Sequence, residues 1–282
     1  MTPSYHHPAD VLRFVAETPE PCALITVSEI YGGAMRAKGA LMAVTQSGEA
    51  AGYISNGCVD ADIILQAQAA LAQGKPRRVH YGESSPYKDI VLPCGGAIHL
   101  VIAPAPEGIS ENLAELEGRK ATTLTVGGFT HDYSPKLRLR IAGRGAGFEA
   151  LAALAVQSGF EVHMQSPELV ELQGVASFEA LTNPVKPPKA VDDSWTAVVL
   201  MFHDHDWETA LLRQALAEPA FYIGAMGSAR THELRLAALG EAGEAARIHA
   251  PIGLIPAMRD ANLLALSTLA EIVSVAQKKD RL

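Results

Sequence analysis

Apolar residues fall along this chain in two different rhythms. In the first half they form short strand-like runs at 22–30, 40–45, 50–54, 77–81 and 97–103. Two helical stretches interrupt these runs, one at 8–17 and one at 59–71. In the second, Val59, Ile63, Ile64, Ala67, Ala70 and Leu71 recur at three- and four-residue spacing. That order predicts an α+β domain rather than a regular βαβ series. From 104 to 135 the composition shifts to Pro, Gly, Glu and Thr, with one strand-like patch at 121–126. We therefore expect an N-terminal domain over 1–115, a connection over 116–136 and a C-terminal domain over 137–282.

The second half alternates. An apolar run at 137–142 leads into GRGAG and a helical stretch at 148–158, and a second strand follows at 160–164. A polar loop over 182–194 precedes TAVVLMF at 196–202, a continuous apolar run of the kind that both faces of a parallel sheet bury. Then come HDHD, a helix at 207–217, a strand at 220–225 and a helix at 231–239. A long amphipathic helix at 261–277 ends beside Lys278 and Lys279, cations suited to a helix's negative end. Strands alternating with helices predict a doubly wound parallel sheet. The fold class is thus α/β: an N-terminal α+β domain followed by a Rossmann-like domain. There is no internal repeat.

Composition narrows the function classes. The chain has 282 residues and a formal net charge of −8, with no long basic run. Duplex nucleic acid is therefore not an expected partner, since phosphate neutralisation supplies most such binding. No apolar run reaches the roughly 18 residues that span a bilayer, and MTPSYHHPAD has no signal-peptide character. Three cysteines in a chain this long do not make a disulfide framework. A reducing cytoplasm is the expected location.

Candidate chemistry gathers at glycine turns. In YISNGCVDADI, Asn56-Gly57 marks a turn, and Cys58 comes just before the 59–71 helix, where a helix N-terminus acidifies a thiol. In LPCGGAIHL, Cys94 precedes Gly95-Gly96, which lets backbone approach a ligand closely. Cys58 and Cys94 lack the paired C-x2-C spacing of a zinc site. Cys22, inside an apolar strand, reads as a small core residue. In EIYGGAMRAKGALM, Arg36 and Lys38 follow Gly32-Gly33, either as an anion site or as a solvated hairpin.

In the C-terminal half, Gly143, Gly145 and Gly147 follow a strand and open a helix, the setting of a phosphate-binding turn. The third glycine of G-x-G-x-x-G is replaced by Phe148, and 161–166 supplies no ribose-binding carboxylate at the strand's end. NAD(P) is disfavoured on both counts. His203, Asp204 and His205 lie past the end of a buried strand as ligand contacts, as half of a broken HxHxDH metal motif, or as surface capping with Asp206 as N-cap. Gly224, Gly227, Ser228 and Arg230 repeat the strand–turn–helix pattern, with Ser228 as the expected N-cap and Arg230 facing an anion, or else a tight turn with a surface arginine.

Eight segments in order resemble the XdhC/CoxI family, the accessory factors that mature xanthine dehydrogenase and related molybdenum hydroxylases. They are GGAMRAKGALMAV, GYISNGCVDADI, VLPCGGAIHLVI, RLRIAGRGAG, TAVVLMFHDHD, AFYIGAMGSART, RIHAPIGL and LALSTLAEIV. The resemblance implies an N-terminal α/β domain, a Rossmann-like domain, and binding of the molybdenum cofactor in its molybdopterin or a nucleotide form. It implies support for the cofactor's sulfuration and delivery to the apo-enzyme. On that reading Cys58 and Cys94 ligate molybdenum or hold sulfur, as soft thiolate donors would. Arg36, Lys38 and the glycine turns hold the pterin's phosphate, and Asp60 supplies the acid that the family often has soon after its first cysteine. The implied partners are an apo molybdenum hydroxylase of the xanthine dehydrogenase type and a cysteine desulfurase.

The chain departs from the family at Asn56, where Gly-Gly is common before the first cysteine. The reading is a cytoplasmic cofactor chaperone acting through thiolates in a cleft between two domains, not a turnover enzyme. A homodimer is expected from the apolar C-terminal helix. The competing readings are an NAD(P)-dependent oxidoreductase and a hydrolase using metal at His203 and His205.

Overall fold

The computed structural model describes residues 7–55, 57, 59–82, 85, 96–203, 206–240 and 245–281. It divides into two compact units, Met1–Pro135 and Lys136–Leu282.

The N-terminal unit is built on a five-stranded antiparallel sheet. Its strands are β1 (Cys22–Tyr31), β2 (Leu41–Thr45), β3 (Ala50–Gly52), β4 (Arg77–Tyr81) and β5 (Ala97–Pro104), in the order β3-β2-β1-β5-β4. Helix α1 (Pro8–Glu17) starts with proline at its first turn, where no N–H is missed, and His7 Nδ1 accepts from Ala9 N–H. Helix α2 (Asp60–Gln73) buries Ile63, Ala67 and Ala70 on one face of the sheet, against Ile25, Leu100 and Ile102. The other face is covered by α1, by α3 (Ile109–Glu117) and by a hairpin of β6 (Thr122–Val126) and β7 (Phe129–Tyr133). Residues 116–136, expected to be a connection, therefore carry the end of α3 and this hairpin. Leu124, Val126 and Tyr133 are buried in the core of the unit.

The C-terminal unit is a six-stranded parallel sheet of β8 (Arg138–Gly143), β9 (Glu161–Ser166), β10 (Ser177–Ala180), β11 (Thr196–Met201), β12 (Tyr222–Ala225) and β13 (Ile248–His249). The order β10-β9-β8-β11-β12-β13 is the 3-2-1-4-5-6 order of dinucleotide-binding sheets, reversing between β8 and β11. Strand β11 shows why its sequence is apolar throughout. Ala197, Val199 and Met201 face α4 (Ala146–Gln157) and α7 (Ala261–Lys278), while Val198 and Leu200 face α5 (Glu208–Leu216) and α6 (Ala229–Leu239). This is the expected α/β architecture. Among the described residues no helix is long and apolar enough to cross a membrane.

Candidate functional site

Three of the glycine-bearing segments meet at one edge of the N-terminal sheet. The ends of β1, β3 and β4 and the starts of β2 and β5 all lie there, as the antiparallel pairings require. Gly96 is so close to the Gly33 and Tyr31 carbonyls that a β-carbon would collide with both. The Gly32-Gly33 turn and the Gly96 turn are thus packed backbone against backbone. Arg36 places its guanidinium carbon 4.6 Å from the centre of the Tyr53 ring, directly before the segment that leads to α2. Lys38 is exposed, with its ammonium 5.6 Å from the Phe129 ring.

One carboxylate builds the turn before α2. Asp60 Oδ1 accepts from Ile54 N–H (3.2 Å), Ser55 N–H (2.9 Å) and Ser55 Oγ–H (3.1 Å), and its Oδ2 accepts from Gly57 N–H (2.7 Å). Val59 is the N-cap residue, and its N–H donates to Ser55 Oγ at 2.8 Å. Gly57 has φ 107°, which a residue with a β-carbon rarely adopts, and no atom of the described residues lies within 4 Å of where its β-carbon would sit. Asp60 also puts negative charge in the first turn of α2, where the helix dipole favours it. Cys58, Asn56, Cys94 and Gly95 lie outside the described residues.

Sequence reasoning missed a row of rings on the same edge. His80 and His99 stack with centroids 5.2 Å apart, and Tyr31 meets His99 edge-on at 5.4 Å. The signal was present as histidines in strands that pair directly, but the pairing itself is not written in the sequence.

In the C-terminal unit the glycine loop opens α4 at the carboxyl end of β8. A β-carbon on Gly143 would strike the Met201 backbone, so that glycine lets β8 and β11 approach. Gly145 is the helix's N-cap residue, and no atom of the described residues lies within 4 Å of where its β-carbon would sit. Phe148, in place of the third glycine, is fully buried between helix and sheet. The strand β9 does run on to Ser166, and a carboxylate follows at Glu168. Ser166 Oγ accepts from Glu168 N–H, and the Glu168 carboxylate lies 3.4 Å from Arg144 in the glycine loop. Glu168 thus lies two residues past the strand, beside the glycine loop.

His203 is exposed after β11, and Asp204 and His205 lie outside the described residues. Asp206 is not the N-cap of α5. That position is Trp207, which makes no side-chain cap and stacks its ring on Phe202. Gly224 has a packing role, because a β-carbon there would collide with the Tyr222 ring and Ile252. Ser228 caps α6 as expected, accepting from Thr231 N–H at 3.1 Å. Gly227 and Arg230 are exposed beside it. Among the described residues no group of three or more His, Cys, Asp or Glu side chains is placed to hold a metal ion. Cys22 is buried, donates to the Glu20 carbonyl, and has its thiol pKa pushed up by burial.

Residues 15–82 match the XdhC and CoxI family, and residues 139–272 match the XdhC Rossmann domain. The chain belongs to the XdhC and CoxI family. It is 36% identical to the molybdenum cofactor insertion chaperone PaoD of Escherichia coli, an alignment covering 94% of this chain and 87% of PaoD. It is 26% identical to the uncharacterized protein YqeB of Escherichia coli, over 90% of this chain and 43% of YqeB. In fold it matches the crystal structure of a protein titled xanthine dehydrogenase from Bacillus halodurans, with a TM-score of 0.82 at 21% identity, covering 97% and 96% of the two chains.

Proposed function

We propose that this chain is a molybdenum-cofactor-binding accessory factor that protects the cofactor, supports its sulfuration and inserts it into an apo molybdenum hydroxylase. The observation that carries the reading is the 36% identity, spread over 94% of the chain, to a relative named as a molybdenum cofactor insertion chaperone. The arrangement at the edge of the N-terminal sheet supports it. Closely packed glycine turns bring backbone together at this end of the sheet, and Arg36 lies over Tyr53 where a phosphate would find charge. Asp60 fixes the turn around Gly57.

The finer assignments are also proposals. Cys58 and Cys94 bind the metal or carry sulfur, with Asn56, Gly57, Gly95 and Gly96 shaping the backbone around them. Lys38 adds charge. In the C-terminal unit, Gly143, Gly145, His203, Asp204, Gly224, Gly227, Ser228 and Arg230 contact the cofactor. Gly224 acts there through the shape of β12, given its packing against Tyr222. Arg144 and Glu168 at the glycine loop suit the phosphate and ribose of a nucleotide form. The partners are a xanthine dehydrogenase-like hydroxylase and a cysteine desulfurase, the location is the cytoplasm, and the assembly is a homodimer.

The test is delivery. Chain loaded with molybdenum cofactor is mixed with an apo molybdenum hydroxylase, and substrate oxidation by that enzyme is followed. Activation above that by free cofactor is expected. Equal activation with and without the chain would overturn the proposal.

A further inference from the structure

A bulge in β1 sets up the row of rings at the end of the N-terminal sheet. Ala23, Ile25 and Val27 pack in the core under α2, and strict alternation would send Glu29 and Tyr31 the same way. Val27 pairs with Leu100 but Glu29 pairs with His99, so Ser28 is an extra residue, and its Oγ–H donates to the His99 carbonyl at 3.1 Å. Beyond it the alternation is inverted. Ile30 packs against the α2 side, and Glu29 and Tyr31 turn to the opposite face. On β4 and β5 the residues under α2 are Val79, Tyr81, Ile98 and Leu100, which puts His80 and His99 on that same opposite face.

Cross-strand pairing accounts for only part of the row. His80 stands directly opposite His99, and their stacked rings are an ordinary sheet contact. Tyr31 stands opposite Ala97 and reaches His99 diagonally, edge-on, while it stays 57% exposed. Its hydroxyl donates to Glu29 Oε2 at 3.0 Å, which holds ring and carboxylate together. Glu29 is exposed too, and its Oε1 takes no hydrogen bond from the described residues. Tyr31 runs straight into Gly32-Gly33, the turn packed against Gly96. An aromatic surface and a held carboxylate thus stand beside closely packed backbone. A flat ring system can stack on the first, and its amino group and ring N–H, side by side on an aminopyrimidinone edge, can donate to the second.

We infer that Tyr31, braced by His99, and Glu29 form a subsite for a planar heterocycle of the pterin class, Tyr31 stacking on it and the carboxylate accepting from its amino edge. The inference deepens the proposed function and rests on it for the heterocycle's source, the pterin of the cofactor. The subsite can be tested with the heterocycle alone.

The full chain is titrated with free pterin, whose fluorescence is quenched on stacking, and with lumazine, in which a carbonyl replaces the amino group. Wild type, Tyr31→Ala and Glu29→Gln are compared. Wild type binds and quenches pterin, and binds lumazine roughly tenfold more weakly, because the carboxylate loses a donor. Tyr31→Ala weakens pterin binding roughly tenfold. Glu29→Gln loses the preference for pterin over lumazine. Both residues are exposed, so both variants melt like wild type. No pterin binding by wild type would overturn the inference, as would unchanged affinity in Tyr31→Ala or an unchanged preference in Glu29→Gln. Guanosine, which carries the same edge on a purine, is added as a competitor, and tighter binding than pterin would overturn the assignment in favour of a nucleotide base. Cofactor retention is measured in parallel. Wild type that binds pterin but retains no cofactor sinks the proposed function and leaves the subsite standing. Wild type that retains the cofactor but does not bind pterin sinks the subsite alone.

Discussion

Replacing Asp60 by alanine removes the acceptor for four donors at once: Ile54 N–H, Ser55 N–H, Ser55 Oγ–H and Gly57 N–H. Ile54 is 2% exposed and Ser55 5%, so water reaches the first three poorly once the carboxylate is gone. A hydrogen bond to a charged group contributes about 1.5–3 kcal/mol, and bonds sharing one carboxylate do not add in full. A loss of about 3 kcal/mol follows, including a few tenths from the α2 dipole. For a unit of this size that lowers the melting temperature by about 10 °C. Asp60→Asn keeps one oxygen for three of the donors but turns an amide N–H toward Gly57 N–H, and costs about 1 kcal/mol. Thermal melts by circular dichroism give the stability, and metal analysis after gel filtration gives molybdenum cofactor retention. Both variants lose retention, Asp60→Asn by more than its small stability loss accounts for, because the turn beside Gly57 is misshapen. Asp60→Ala melting and retaining cofactor like wild type would refute the reasoning. A stability loss without a retention loss would show that the turn has no part in binding.

Other consequences are independent of that turn. Asp192→Ala should be among the most damaging substitutions. It strips the carboxylate from Arg140, 4% exposed, whose guanidinium donates to both Asp192 oxygens at 2.8 and 2.5 Å and keeps only Gln165 Oε1 at 3.0 Å, and a calorimetric loss of about 3–5 kcal/mol is expected. In a Cys58→Ala, Cys94→Ala variant the remaining thiol, Cys22, should be silent to a thiol-titrating disulfide in the native state and react only in denaturant. Burial pushes the pKa of Tyr133 up to about 12 from an ordinary value of 10.0. The stability linked to it is fully present below about pH 10 and is lost as pH rises toward 12, so melting temperature should fall across that window, and less steeply in Tyr133→Phe. Burial raises the Glu271 carboxyl, but hydrogen bonds from His249, Gly253 N–H and Tyr222 outweigh it and leave the pKa below its ordinary 4.5. Its contribution is present above that pH and is lost as pH falls through the folded value, an acid loss that Glu271→Gln should lack.

The sheets were legible where burial leaves a periodic mark. TAVVLM reads as a strand covered on both faces, and the helix at 261–277 reads from its apolar spacing; the structure ends it one residue later. The β6–β7 hairpin was half seen. TTLTV alternates cleanly, but FTHDY places polar residues on its outward positions, and its Gly127-Gly128 turn falls in the stretch whose composition reads as a connection. β13 is two residues long and carries no periodicity. At the candidate site, the glycine turns and Arg36 were legible as local motifs. Asp192 and Glu208, the buried partners of Arg140 and Arg235, lie 52 and 27 residues away in sequence, and the fold alone brings them together. Asp60 was legible only through family resemblance. In isolation an acid in a helix's first turn marks a dipole contact, not the organiser of the turn before it.

The central claim is that thiols of the N-terminal unit hold the molybdenum cofactor. Purified chain is incubated anaerobically with the cofactor, separated from excess, and its molybdenum measured, for wild type, Cys58→Ala and Cys94→Ala. The account predicts stoichiometric molybdenum on wild type and its loss in either variant, with circular dichroism unchanged. No molybdenum on wild type, or as much on both variants as on wild type, would contradict it.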